Sequence, residues 1–299
     1  MTATAPPQKH TTGPHLRNGI RCGDARDVLP RLPSGSIGCI VTSPPYVDLR
    51  DYARIEPDAY VDWFLPIGRE FKRLLTGEGN LFLNVNDRCH RGRRLTTSFE
   101  LAASLIDEVG LMLVEVYIWH KPNARPGCYG KRAKDSFEYV FHFAKGRDHY
   151  FDLAAIGRPY RCDRSSTGDR PSGAPRRVPS GWTVPNDGAF DRGWADPGNV
   201  FTIPVARNNT AHTATMPGEL ARRLIAMGSR RGDAVLDPFC GSGTTCVEAV
   251  RAGRRYVGIE WHRPYAVMAR RRVAKVRRAA ERRGAGEGER RSAGEGVRR

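Results

Sequence analysis

The stretch Ala234-Val-Leu-Asp237-Pro-Phe-Cys-Gly241-Ser-Gly243-Thr-Thr245 reads as a short buried strand that runs into a glycine turn and then into a helix from about Thr244. Glycines at such a turn let a ligand approach the backbone, and the first helical turn offers N–H groups with no partner inside the helix. Tyr256–Ile259 reads as the next strand, and Glu260 closes it 19 residues past Gly241. A carboxylate there suits hydrogen bonds from ribose hydroxyls. Strand, glycines, helix, strand and acid in register predict a nucleoside-binding half. No Gly-Lys-Ser/Thr follows, which argues against a phosphate-binding P-loop.

Outward from this point, short apolar runs alternate with amphipathic ones. Gly19–Cys22, Gly38–Thr42, Asn80–Val85, Leu111–Trp119, Phe137–Ala144 and Ala234–Leu236 read as strands. Ala25–Leu32, Pro57–Leu75, Ser98–Val109, Pro217–Gly228, Thr244–Arg251 and a basic stretch from about Pro264 read as helices. This rhythm predicts an α/β fold with a mostly parallel sheet and helices on both faces. It lapses between Ile156 and Asn199, an irregular insertion rich in Pro, Gly, Ser and Arg with isolated aromatics. Residues 1–16 read as a flexible arm. Residues 281–299 repeat Ala-Gly-Glu-Gly between Arg pairs and read as a disordered basic tail.

A second stretch, Thr42-Ser-Pro-Pro-Tyr46, follows an apolar strand. Two prolines fix the backbone and leave two carbonyls without a local N–H competitor. Ser43 adds a hydroxyl and Tyr46 an aromatic face. Together they make a rigid acceptor clamp for an amino group on a planar ring stacked against Tyr46.

Composition bounds the remaining possibilities. The 299 residues include 39% apolar side chains, enough for a real core. No run reaches the ~18 apolar residues of a membrane helix. Met1–His15 is polar and Pro-rich, which predicts no secretory signal. Seven scattered cysteines with no C-x-x-C pair predict neither a disulfide scaffold nor a metal site, and suit a reducing cytoplasm. The net charge is +17, of which residues 270–299 carry +8, so the body is basic in its own right and suits a polyanionic partner.

The two stretches together resemble the S-adenosylmethionine-dependent amino-methyltransferases of DNA, the cytosine-N4 and adenine-N6 enzymes. More closely, they resemble the beta-order branch, in which the Pro-Pro-Tyr motif precedes the cofactor glycines. The resemblance spans roughly residues 17–270. Gly23-Asp24, Leu49-Arg50-Asp51-Tyr52, Glu138-Tyr-Val-Phe-His-Phe-Ala-Lys145, His212-Thr-Ala-Thr-Met-Pro217 and Gly258-Ile259-Glu260 also carry it. It implies a circularly permuted Rossmann-like methyltransferase fold. Residues 17–155 would be the catalytic half, 156–199 a target-recognition segment and 200–280 the cofactor half. The strand Gly19–Gly23 would lie beside the Glu260 strand and bring Asp24 near the cofactor's adenine amino group. The Ser-Pro-Pro-Tyr strand would come next in line.

The resemblance further implies S-adenosyl-L-methionine as cofactor, held by Asp24, Asp237, Pro238, Phe239, Cys240, Gly241, Ser242, Gly243, Thr244 and Glu260. Ser43, Pro44, Pro45 and Tyr46 would be catalytic. The target base is flipped from the duplex. Its amine would donate to the Ser43 hydroxyl and the Pro44 carbonyl, which favours a pyramidal nitrogen with its lone pair toward the methyl. Family members with Ser before the two prolines usually methylate cytosine N4, those with Asp or Asn adenine N6, so Ser43 favours cytosine N4. No Pro-Cys dipeptide is present for C5 chemistry, and Cys240 reads as structural. Double-stranded DNA is the implied partner, in a monomer or homodimer with no membrane contact and no metal. A cognate restriction endonuclease is the further partner. Phosphate contacts are expected from Arg88, Arg91, Arg93, Arg94, Lys121, Arg125, Lys131 and Arg132, and from Arg161 and Arg164 in the insertion. An RNA methyltransferase would share both motifs. An inactive DNA-binding module would not need them intact. A nucleotide-binding oxidoreductase would share only the glycine turn.

Overall fold

The structure is a computed structural model that describes residues 16–45, 55–87, 89–90, 92–124, 130–159, 176–177, 183–184, 194–205 and 216–295, without the side chains of 159, 176–177, 183–184 and 283–295. Among the described residues, eight strands form one sheet. In chain order they are β1 (Gly19–Cys22), β2 (Ile37–Thr42), β3 (Leu75–Val85), β4 (Met112–His120), β5 (Phe137–Ala144), β6 (Val200–Thr202), β7 (Ala234–Asp237) and β8 (Arg255–Glu260). Across the sheet the order is β1-β8-β7-β2-β3-β5-β4-β6. All pairings are parallel except those of β5, which runs antiparallel to both β3 and β4. The first strand of the chain therefore lies beside the last, with Cys22 level with Glu260.

Helices cover both faces. α1 (Ala25–Val28), α2 (Tyr60–Leu74) and α3 (Thr97–Asp107) pack on one, and α4 (Gly218–Gly228), α5 (Thr244–Arg251) and α6 (Arg263–Glu295) on the other. In α2, Tyr60, Phe64, Ile67, Phe71 and Leu74 fall on a single stripe at three- and four-residue spacing, and all are buried. Phe64, Phe71, Phe82, Phe143 and Phe201 are completely enclosed, each contributing about 2–3 kcal/mol through apolar burial. Strand alternation sorts the core, with Leu81, Leu83 and Val85 of β3 facing one helix layer and Phe82 the other. No helix among the described residues is long and apolar enough to cross a membrane.

The structure departs from the sequence reading in four places. The helix expected over Ala25–Leu32 is α-helical only to Val28 and continues as a 3-10 turn over Leu29–Arg31, because Pro30 has no N–H to give. β3 begins at Leu75, not Asn80, its first residues pairing with β2 across a register shift. β2 does not follow β1 in line but sits on the far side of β7, so the Ser-Pro-Pro corner neighbours the glycine turn directly. Finally, α6 runs on to Glu295, through most of the segment 281–299 that its repeats predict to be disordered. Ala, Arg and Glu are strong helix formers and isolated glycines cost only about 1 kcal/mol each; Arg277 and Glu281 pair one turn apart. Most of the insertion 156–199 lies outside the described residues, though Trp194–Ala195 pairs with Arg158–Pro159 and so brings its two ends together.

Candidate active site

The carboxyl ends of β2, β7, β8 and β1 meet on one edge of the sheet, where open α/β sheets bind ligands. β7 ends at Asp237, residues 238–243 turn, and α5 starts at Thr244. Pro238 is buried and Phe239 half-buried. Gly243 has φ +84, and a Cβ there would lie 2.8 Å from the Cβ of Ala269 on α6, so this turn admits no side chain. The turn is pinned from two sides. The Cys240 N–H donates to the Ile259 carbonyl at 2.9 Å, and the Gly243 N–H to the Cys240 carbonyl at 2.7 Å. From α6, the Arg272 guanidinium donates to both the carbonyl and the hydroxyl of Ser242, each at 2.7 Å.

Glu260 is almost fully enclosed. Its Oε2 accepts from the Gly241 N–H and its Oε1 from the His262 N–H, both at 2.8 Å. It thus fastens the glycine turn to the end of β8, and each oxygen keeps a lone pair for a ligand hydroxyl. Asp237 is likewise buried, its Oδ1 accepting from the Thr42 hydroxyl at 2.8 Å and the Phe239 N–H at 3.1 Å. Burial pushes its pKa up to about 6, helped by the nearby Glu260 charge and opposed by these hydrogen bonds. Among the described ion pairs, no Lys or Arg meets either acid. Two enclosed carboxylates without a cationic partner, beside a turn of exposed backbone donors, fit a positively charged nucleoside such as S-adenosyl-L-methionine.

Cys240 packs against Cys246, and a Cβ on Gly258 would lie within 3.0 Å of both sulfurs. The Cys246 side chain and burial hold the Cys240 thiol well above the usual range, which suits packing and not nucleophilic attack. Asp24 caps α1, accepting from the Arg26 N–H at 2.8 Å, and pairs with the Arg26 guanidinium at 2.7 Å. That side-chain bond holds its carboxyl below the usual range. The Gly23 N–H donates to the Glu260 carbonyl, so Asp24 stands next to the acid-bearing strand end.

The Ser-Pro-Pro corner continues from β2, which neighbours β7 in parallel register, Ile40 level with Leu236. The Thr42–Asp237 bond spans 195 positions of sequence and joins the two motifs. Ser43 is half-buried and Pro44 buried. The sequence leaves two proline-flanked carbonyls open, but Pro45 is engaged. Its carbonyl accepts from the buried Tyr60 hydroxyl at 3.1 Å, which ties the corner to α2. Trp63 and Phe64 of α2 also pack on Phe239 at 6.0 and 6.4 Å, so one helix braces both corners. Tyr46 lies outside the described residues.

The basic residues expected at DNA divide sharply. Arg93 and Lys131 are exposed. Arg94 and Arg132 both pair with Asp135, at 2.7 and 2.8 Å. Lys121, expected at phosphate, instead turns inward to Glu138 at 2.6 Å, with both side chains nearly enclosed. Arg88, Arg91, Arg125, Arg161 and Arg164 lie outside the described residues. Among the described residues no group of acids, histidines and cysteines is arranged to hold a metal ion. Two residues escape a motif-based reading. Trp261 follows Glu260 and is 57% exposed, an aromatic surface at the strand end that its place after the acid could have flagged. Asn84 is fully buried at the end of β3 and carries no motif signal.

A family model described as DNA methylase matches residues 37–271. The chain is similar to the Type II methyltransferase M.Cfr9I of Citrobacter freundii, 33% identical over 88% of this chain and 91% of that protein. It is similar to a Thermus thermophilus protein, provisionally assigned as a DNA modification methylase and solved in complex with S-adenosyl-L-methionine. That match has 31% identity, covers 87% of this chain and 94% of that one, and has a TM-score of 0.59. The PvuII DNA methyltransferase, cytosine-N4-specific by name, shares the fold with a TM-score of 0.67 over 86% of each chain at 24% identity.

Proposed function

From the premise that the chain belongs to this DNA methylase family and is an S-adenosyl-L-methionine-dependent DNA methyltransferase, we propose that it methylates the exocyclic N4 amine of a cytosine turned out of the duplex at a specific site. The observation that carries this reading is the Thr42–Asp237 hydrogen bond, which supports treating the Ser-Pro-Pro corner and the glycine turn as one site. Ser43 before the two prolines favours cytosine over adenine.

When bound, the cofactor supplies a methyl group made electrophilic by a sulfonium charge. The chain's own residues hold and orient. Asp237 and Glu260 offer negative charge to a cation in an enclosed setting, where attraction is far stronger than in water. Glu260 keeps lone pairs for ribose hydroxyls, Asp24 stands ready for an adenine amine, and Trp261 offers a stacking face. The Ser43 hydroxyl and Pro44 carbonyl meet the amine of the target base. With Pro45 tied by Tyr60, the corner does not have to be ordered when the base arrives, and positioning of this kind lowers the barrier by pre-setting the reactants. A flipped base also costs a few kcal/mol to extrude, which exposed cations such as Arg93 and Lys131 help to offset by gripping phosphate. An endonuclease cutting the same unmethylated site and a cytoplasmic setting fit this reading.

The test is transfer of tritium from labelled S-adenosyl-L-methionine to unmethylated plasmid DNA and to RNA, followed by digestion to nucleosides. Label in N4-methylcytosine from DNA is expected. Label in N6-methyladenine would move the target to adenine, and label confined to RNA would overturn the reading.

A further inference from the structure

We infer that Asn84 is a further catalytic residue, its side-chain oxygen accepting one N–H of the target amine while Glu138 and Lys121 hold the amide in place. This rests on the amine reading above. The observation is a line of polar side chains along one edge of the sheet, at the carboxyl ends of β2, β3 and β4 and the amino end of antiparallel β5, in a position where nothing in the sequence pattern requires polarity. Lys121 follows β4, Glu138 is on β5, Asn84 is the last residue but one of β3, and Ser43 follows β2. In the β2–β3 register Thr42 is level with Leu83, which puts Ser43 level with Asn84. By strand alternation all four share the face on which Val41, Phe82, Val140 and Trp119 are packed.

The line has a direction. Lys121 Nζ donates to Glu138 Oε1 at 2.6 Å. Asn84 Nδ2 donates to Glu138 Oε2 and to the Tyr139 carbonyl, each at 3.0 Å. Both partners of Nδ2 are pure acceptors, so the amide cannot be turned end for end, and the oxygen must be the free end. That oxygen is enclosed and has no hydrogen-bond partner among the described residues. An unpaired buried acceptor is costly. Retaining one where Ser43 and Pro44 stand, with its donor end anchored by an ion pair, suits a donor that arrives with the substrate. A base amine is such a donor. An Asn oxygen can only accept, whereas the Ser43 hydroxyl can also donate. With Asn84 and Pro44 taking the two N–H groups, Ser43 gives up the amine contact assigned to it above and donates instead to the ring nitrogen beside the amine. The base edge is then read as amine plus acceptor.

The test begins with the wild-type product. Once the modified site in plasmid DNA is mapped, a duplex with that site is compared with one whose target base is 2-pyrimidinone, which lacks the amine. Binding is measured with sinefungin present, for wild type and for Asn84→Leu. Removing the amine takes away both N–H bonds and should weaken wild-type binding about a hundredfold, whereas Asn84→Leu, with only the Pro44 bond left to lose, should weaken by about tenfold. The variant's single-turnover rate should drop by about a hundredfold or more, with affinity for S-adenosyl-L-methionine unchanged. If both proteins lose the same factor on amine removal, Asn84 does not touch the amine and the inference is overturned. Should Asn84→Leu not fold, Glu138→Ala is read in its place. It releases the amide, and it must narrow the amine effect at least halfway, or the inference falls. A wild-type product that is not a methylated amine would instead refute the underlying function.

Discussion

Replacing Asp237 by Asn should make the ligand-free protein more stable and a worse binder of its cofactor. Burial raises the Asp237 pKa from 3.8 to about 6, so at neutral pH the fold holds an ionised carboxylate where it prefers a neutral group. Each pKa unit is worth 1.36 kcal/mol, so the upward shift costs the folded state about 3 kcal/mol at pH 7. The sign follows from a folded pKa above the unfolded one. Between pH 4 and 6 the unfolded chain ionises first, and stability falls as pH rises; below about 4 both states are protonated and the cost vanishes. Asn keeps an oxygen to accept from Thr42 and the Phe239 N–H, so the hydrogen bonds survive. Urea unfolding without ligand should give the Asp237→Asn variant an advantage of about 3 kcal/mol at pH 7 that shrinks below about 1 near pH 4. Calorimetry should show S-adenosyl-L-methionine affinity reduced about 10- to 100-fold, the range for losing a charge-assisted contact. A variant no more stable than wild type at pH 7, or a gain that does not change with pH, would refute the claim that Asp237 is held ionised at a cost.

Glu260→Ala removes the acceptor of the Gly241 and His262 N–H groups and should weaken S-adenosyl-L-methionine binding by about a hundredfold, while unchanged affinity by calorimetry would remove Glu260 from the site. Tyr60→Phe leaves the Pro45 carbonyl without its donor; about 1 kcal/mol of stability should be lost in urea, and the methyl-transfer rate should drop about tenfold with cofactor affinity intact. Thr42→Val keeps the shape but leaves Asp237 one donor short, so its pKa should rise further and cofactor affinity should fall already at pH 7, read by calorimetry across pH 6–8. Replacing exposed Arg93 and Lys131 by Ala should reduce the salt dependence of DNA binding by about two phosphate contacts, whereas replacing half-buried Arg132, which is paired with Asp135, should act mainly on stability.

Local periodicity and end signals made several elements legible in the sequence. Phe137–Ala144 and Thr244–Arg251 have the bounds that their apolar spacing predicts, because each is a buried segment ended by chain-breaking or charged neighbours. Pairing across long separations was not legible in the same way. The neighbourhood of β1 and β8 came from the resemblance, and the Ser-Pro-Pro strand sits beside β7 instead of β1. Side-chain partners were the least legible. Lys121 looked like a surface cation because its partner Glu138 is on another strand, and the Pro45 carbonyl looked open because Tyr60 reaches it from a helix. Asn84 has no motif to mark it; only its enclosed oxygen, unpaired among the described residues, distinguishes it, and that arises only in the folded chain.

The Thr42–Asp237 bond gives the two halves of the site a common electrostatic dependence. A carboxylate can only accept, so Thr42 must donate, and its bond is of the strong charge-assisted kind only while Asp237 is ionised. At pH 7 Asp237 is already ionised, but near pH 6, where it is half protonated, a cation beside it would favour the ionised form and so tighten Thr42 toward β7. Thr42 is the residue before Ser43, and Tyr60 fixes the other end of the corner at Pro45, so the clamp has little freedom to absorb the pull elsewhere. In the proposed site, filling the cofactor side near pH 6 should therefore firm the pocket for the base. In the proposed site both enclosed carboxylates would face a cationic ligand, while the basic surface would face an anionic one. On the proposed assignment, the stability lost at Asp237 is the counterpart of affinity gained there.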